Sequence, residues 1–291
     1  MALDRNNRYP GRFENPSNAH PQGAFKNRTS PTAEDGSYFE ADWANDWDGF
    51  FARILTVAGV TPNGVIDTGS ASQLYDALLS AMPGRLLGAP KVFTSNGTYT
   101  PTSGTKAILV EVLGAGGGGG GASAADTSSI GLGTGGAGGA YAKSFLTTVP
   151  ASQAVTVGAG GASGTAGGAS SFGSINAPGG NAGSNNFASI NTGTVIQQRG
   201  AISLVATGGN MINSPGGSGG DAFWTNFGNS LSGVGGNSQF SQGPRRIGGS
   251  TGTGIDGTLG AGGSGANATG TTSVVNGGTG GNGIVIVWEF T

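Results

Sequence analysis

The unbroken run Gly116 to Gly121, and the shorter glycine runs that follow it, limit what this chain can fold into. Residues 104–291 hold 52 of the 62 glycines, in stretches such as 158–168, 216–220, 248–265 and 277–283 with small residues interspersed. Each glycine loses about 0.5–1 kcal/mol against alanine through the backbone entropy surrendered on folding. A folded domain that keeps so many must use them for geometry. Two geometries require glycine: turns at positive φ, and extended left-handed segments packed too closely for a Cβ, as on the collagen axis. No strict Gly-X-Y period is present, so collagen itself is excluded. A stack of polyglycine-type extended helices remains, as does a β structure with long glycine loops. The plain alternative is a flexible linker. Linkers seldom return to apolar strands, and this region closes on Ile284-Val285-Ile286-Val287-Trp288.

Strand signals punctuate the glycines. Val92-Phe93-Thr94 and Lys106 to Leu113 read as two strands around a turn containing Gly104, with Ile108, Val110 and Val112 on one side and Leu109, Glu111 and Leu113 on the other. A second strand pair is expected at 140–149 and 154–157, joined by Pro150-Ala151-Ser152, and a last strand at 283–290. The expected fold is mainly β, a glycine-rich β domain over residues 91–291 that can include packed polyglycine-type helices.

The chain before that domain follows other rules: 20 of the 28 charged residues fall in residues 1–111. Ser37 and Glu40 have capping-box spacing, and Phe39, Trp43, Trp47, Phe50, Phe51, Ile54 and Leu55 recur at helical steps before a stop at Gly59. Thr61-Pro62-Asn63-Gly64 is a turn, and a second helix is expected from Ser70, with Gln73 at the reciprocal cap position, to just before Pro83-Gly84. Residues 36–90 thus form a small α-helical region. Two helices bury little by themselves, so Trp43, Trp47, Phe50, Phe51 and Ile54 are candidates for an attachment or oligomer core. Residues 1–35, rich in Asn, Pro and Arg, read as an extended arm that orders against something else, or as a loose terminus.

Composition also excludes functions. The net charge is -2, so the chain lacks the basic surface of a nucleic-acid binder. There is no Cys, hence no disulfide or thiolate metal site. His20 is the only histidine and lies in the arm, which rules out a Ser-His-Asp set in the glycine-rich domain. Carboxylates after residue 112 are Asp126, Asp221, Asp256 and Glu289, a thin supply for the carboxylate pair of a glycosidase. Neither a phosphate-loop pattern nor a metal-ligand cluster is seen, so no catalytic residue, metal or cofactor is expected. The polar start lacks an apolar leader core, and no run of 18 apolar residues occurs.

The stretches Tyr9-Pro10-Gly11-Arg12-Phe13, Pro21 to Arg28, Asp35 to Glu40, Trp43 to Trp47, Gly59 to Gly64 and Ser72 to Leu78 together resemble the N-termini of phage and prophage tail-fibre proteins. Phe93 to Tyr99, Val110 to Gly116, Ser170 to Gly173, Ala206 to Gly209 and Gly280 to Val287 resemble, in that order, the glycine-rich C-terminal domain of many tail fibres and tail-tip adhesins. The resemblance implies a virion (tail) component made in the host cytoplasm, commonly a homotrimer. Its N-terminal region would attach to a tail or baseplate protein, and its distal part would bind a saccharide or outer-membrane protein of the bacterial surface. No long repetitive shaft is present, which implies a short fibre or a fibre tip.

If glycines form the scaffold, the interrupting segments 185–199 and 221–246 are the natural recognition loops. Phe223, Trp224, Phe227, Phe240, Arg245 and Arg246 are the candidate receptor contacts, because exposed aromatics and Arg carry binding energy most often. Equally, Phe223, Trp224 and Phe227 can be core anchors of a loop. A surface-polysaccharide depolymerase using Asp221 and Asp256, or a fibre of a phage-derived contractile particle, are the competing functions.

Overall fold

The computed structural model describes residues 4–21, 23–37, 39–82, 84–124, 126–189, 196–226 and 228–291. The chain divides into two compact units, Met1–Pro83 and Gly84–Thr291.

The first unit is helical. Its long helix, Ala41–Ala58, is capped by Glu40 without a side-chain hydrogen bond and ends on Gly59 in the left-handed conformation at φ 67°. There the Gly59 and Val60 N–H groups close on the Thr56 and Leu55 carbonyls. Ser37 does not cap this helix. Its hydroxyl donates to the Arg12 carbonyl and accepts the Lys26 N–H, pinning the preceding arm instead. The second helix, Gln73–Ala81, begins later than Ser70, because Asp67 and Ser72 take up its first N–H groups. Asp67 accepts from the Gln73 and Leu74 N–H groups and from the Ser72 hydroxyl, while Ser72 accepts from the Tyr75 N–H. Gln73 turns away and holds the Thr61–Asn63 turn, donating to the Thr61 carbonyl and accepting the Asn63 N–H. The arm is not loose: Phe13 and Phe25 form a β-bridge, and Arg8 pairs with Asp42. Its rings continue the helix stripe in an edge-to-face and tilted ladder from Tyr9 through Phe13, Phe25, Trp43 and Trp47 to Phe51.

The second unit is mainly β. At the end where the chain enters, Lys91–Phe93, Ile284–Phe290, Ala107–Leu113, Tyr141–Leu146 and Ile212–Ser214 form an antiparallel sheet in that order. Lys91–Phe93 and Ala107–Leu113 therefore do not pair with each other. The apolar last strand lies between them, and Ala107–Leu113 is the central strand of the sheet. Nor do the strands flanking Pro150-Ala151-Ser152 pair. Gln153–Thr156 crosses into a second sheet with Gly97–Tyr99, Ser170–Phe172 and Ile175–Ala177. Ile108, Val110, Val112, Val285, Val287, Tyr99 and Phe172 fill the space between the two layers.

Glu289 ties this end together. It is only 7% exposed and accepts from the Tyr99 hydroxyl (2.8 Å) and the Thr102 N–H (2.9 Å), as well as from the Thr102 hydroxyl, with the Lys91 ammonium at 3.0 Å. Burial pushes its carboxyl upward, but the bonds from Thr102, Lys91 and Tyr99 outweigh that and hold it at about 2.

Beyond the sheets, the glycine runs become a lattice. In residues 114–120 the N–H groups of 114, 117 and 120 donate to the carbonyls of 140, 137 and 134. Those of 115 and 118 donate to 168 and 165, and those of 116 and 119 to 281 and 278. The partner changes with every residue and returns every third, which is the periodicity of a three-residue left-handed extended helix. Carbonyls of the same segment accept from 180 and 183, from 161 and 164, and from 263 and 266. Six neighbouring segments thus surround residues 114–120, three antiparallel and three parallel. Such packing leaves no room for a Cβ at the glycine positions. A Cβ on Gly118 would lie 1.8 Å from the Ala162 carbonyl oxygen, and one on Gly119 2.0 Å from that of Ser264. Residues 133–140 form a second such rod, donating to 260–266, 178–184 and 217–220. Both geometries left open by the sequence are present: glycine-packed rods, and β-sheets.

Candidate functional site

Small strands close the lattice at the end opposite Gly84 and Thr291. Ser129–Gly133 pairs with Asn267–Thr269 and Asn185–Ser189, and Ala222–Trp224 pairs with Ile196–Gln198 and Ser230–Leu231. The second of these sheets carries the candidate site. Cross-strand partners share a face and residues two apart along a strand share it too. Register places Gln197, Phe223 and Leu231 in one row. Arg199 and Asp221 extend that row on the same face, and Thr225 and Asn229, joined by a backbone hydrogen bond, extend it on the other side.

This face is polar with one ring at its centre. The Arg246 guanidinium lies over the Phe223 ring, 5.6 Å from its centroid. Asp221 accepts the Gly200 N–H at 2.8 Å and the Gln197 amide, and the Gly200 and Gln197 bonds together with Arg199 hold its carboxyl below the usual range. Gln197 is exposed and makes this bond through its amide nitrogen, so the bond does not use its carbonyl oxygen. Gln197, Arg199, Arg245 and Arg246 are exposed, and Phe223 is partly so.

The candidate residues therefore divide. Phe223 and Arg246 meet on this face, and Arg245 precedes Arg246 on the exposed edge. Trp224 points the other way and is buried with Ile130, Leu132 and Ala222, so it is a core anchor of the sheet rather than an exposed contact. Phe240 lies elsewhere, edge-on to Tyr141 at 5.7 Å at the sheet end of the unit. At about 3.1 Å per residue, the eight-residue rod 133–140 separates it from Phe223 by on the order of 20 Å. Phe227 lies outside the described residues. Composition missed Gln197 and Arg199 as individual contacts; their pairing with the Phe223 strand is non-local and has no local signature.

Asp221 and Asp256 are not together. The segment ending at Gly220 bonds to Val234, Gly233 bonds to Gly265, and Ile255 lies beyond Ser264, so rods 233–236 and 261–265 stand between the two carboxylates. Asp256 accepts the Thr279 N–H. Among the described residues no group of three or more His, Cys, Asp or Glu is arranged to hold a metal. No helix among them is long and apolar enough to cross a membrane.

In the first unit, Trp43, Trp47, Phe50, Phe51 and Ile54 share the long helix as the spacing predicts, but only Ile54 is buried. Phe39 is 75% exposed and Phe50 56%, and the Trp43 indole N–H is buried without a hydrogen-bond partner among the described residues.

A family model described as a glycine-rich domain matches residues 94–288. No match was found among curated proteins.

Proposed function

The chain belongs to the glycine-rich domain family, and from that premise we propose that it is a short tail fibre or fibre tip of a phage or phage-derived particle, binding a bacterial surface through the far end of its glycine lattice. One observation carries the reading: the lattice presents a sheet face of Arg, amide and aromatic groups at the end opposite its chain termini. A rigid rod bundle with its termini at one end and binding side chains at the other suits an adhesin. The order of tail-fibre-like stretches along the chain adds to it. A binding role fits the site better than a hydrolytic one, because Asp221 is spent on Gly200 and Gln197 and has no second carboxylate across the face.

The aromatic stripe of the first unit supports attachment and self-association. Trp47 and Phe50 on the long helix, and Phe39 just before it, expose apolar rings, and among the described residues the buried Trp43 N–H has no hydrogen-bond partner. Copies of this chain, as a homotrimer, or a tail or baseplate protein would cover that surface. Labelled full-length protein should bind susceptible cells saturably and block adsorption of the parent particle. Absence of binding to any bacterium that the particle infects would overturn the reading. Sugar released from cell envelopes would replace it with the depolymerase reading.

A further inference from the structure

Resting on the adhesin reading above, we infer that the ligand of the far-end face is an acidic saccharide, one bearing carboxylate or phosphate groups, rather than a neutral glycan or a protein loop. The first observation is charge placement. Residues 113–291 contain four cations, Lys143, Arg199, Arg245 and Arg246. Lys143 is engaged with Glu111 at the sheet end, and the other three flank one small sheet at the far end. Arg245 and Arg246 form no ion pair with a carboxylate among the described residues. In a chain of net charge -2, Arg199 and Arg246 on this face, with Arg245 next to Arg246 in the chain, outnumber its single carboxylate, Asp221, and reverse the sign locally.

The second observation is geometry. Arg246 lies over the Phe223 ring at 5.6 Å, which holds its guanidinium beside the face, and a guanidinium can form a forked pair with an anion. The rest of the row suits a sugar ring. Gln197 offers a carbonyl oxygen to a hydroxyl, and Thr225 and Asn229 add hydroxyl and amide groups along the same face. Asp221, at one end of the row, holds Gln197 in place, its two oxygens accepting from the Gly200 N–H and the Gln197 amide. Trp224, the largest of the candidate side chains, is buried on the opposite side with Ile130 and Leu132, so it is not offered to a partner on this face.

The test uses the full chain on an array of bacterial surface saccharides spanning uronic-acid, keto-acid, phosphate-bearing and neutral repeats, with carbodiimide-amidated and phosphatase-treated copies of each acidic probe. Binding should be confined to acidic probes, weaken with added salt, and fall at least tenfold when the acidic group is masked. The amidated and dephosphorylated arms separate a carboxylate from a phosphate source. Arg246→Ala should weaken binding about tenfold or more, and Arg246→Lys, which keeps the charge but not the stacked fork, should recover only part of it. Far-ultraviolet circular dichroism and melting of each variant check that it is folded. Undiminished binding to neutral probes, no binding to any saccharide, or indifference to Arg246→Ala would overturn the inference. Whole-cell binding run in parallel separates the two readings. Cells bound normally by Arg246→Ala sink the acidic-saccharide proposal alone, whereas failure of the wild-type chain to bind cells sinks the adhesin reading.

Discussion

At the scale of single residues, the glycines are not interchangeable. Gly118 has carbonyl oxygen where a Cβ would go, whereas Gly88, on the approach to the first strand, has open space and an ordinary φ. Gly118→Ala should cost about 3 kcal/mol or more, or prevent folding of the second unit, while Gly88→Ala should change stability by less than about 0.5 kcal/mol. Equal melting of the two variants would refute the close-packed lattice. Glu289 is the other decisive residue. Its folded pKa, about 2, lies below its usual 4.5, so its contribution to stability is present above about pH 4.5 and is lost as pH falls toward 2. The linked contribution is about 2–3 kcal/mol at neutral pH. Urea titrations at pH 7 and pH 2.5 should therefore show Glu289→Gln to be clearly less stable than wild type at pH 7, with the gap much narrowed at pH 2.5. None of the partners of Glu289 is within 180 residues of it except through the fold, and no sequence spacing announces them.

At the scale of elements, the two long helices, the Gly59 stop and the last strand were legible because their signals are local: side-chain period, stop residues and apolar runs. Pairings were not. Lys91–Phe93 and Ala107–Leu113 are near in sequence, yet the sheet places residues 284–290 between them. Local rules also misplaced Ser37, since a capping hydroxyl can serve any nearby N–H, and the arm presents Lys26 first. The side-chain cap is found instead at the start of Gln73–Ala81, made by Ser72 and Asp67. Ser72→Ala should lower the stability of the first unit by about 1 kcal/mol, read from its unfolding transition. A change below the error of the measurement would mean that Asp67 alone suffices. The candidate site was half legible: residue type singled out Phe223 and Arg246, but strand alternation put Trp224 on the buried side and the rod separated Phe240. Alternation is readable from sequence only once a strand's boundaries and register are known, and three-residue strands between glycines give neither.

For the whole molecule, the composition break near residue 90 already announced two kinds of folding, and the structure has two compact units, Met1–Pro83 and Gly84–Thr291. Thermal unfolding followed by tryptophan fluorescence and by calorimetry should show separable transitions, the helical unit first, because its apolar side chains are largely uncovered in a single chain. If copies of the chain associate through the stripe, as proposed, replacing Trp47 and Phe50 by Ser should lower the mass in sedimentation equilibrium without altering the transition of the second unit. Retention of the wild-type mass would remove that stripe from the assembly surface. Refolding of the second unit should be slow, since nearly every rod bonds to segments far away in the chain.

The rod geometry has a mechanical consequence. Hydrogen bonds between the rods run across their long axis, and the strand leading from Gly84 is zipped to the closing residues, with Gly84 donating to Thr291, Leu87 to Glu289 and Thr291 to Arg85. A force applied at the far face and resisted at the chain ends would load many of these bonds together in shear rather than peel them one by one. Single-molecule extension from Gly84 to a handle at residue 229 should give high rupture forces with few intermediate steps, and pulling between Gly84 and Thr291 should unzip the same unit at far lower force. The fold would then act as a cable: strong between the far face and Gly84, and weak at the seam where residues 84–87 meet 289–291.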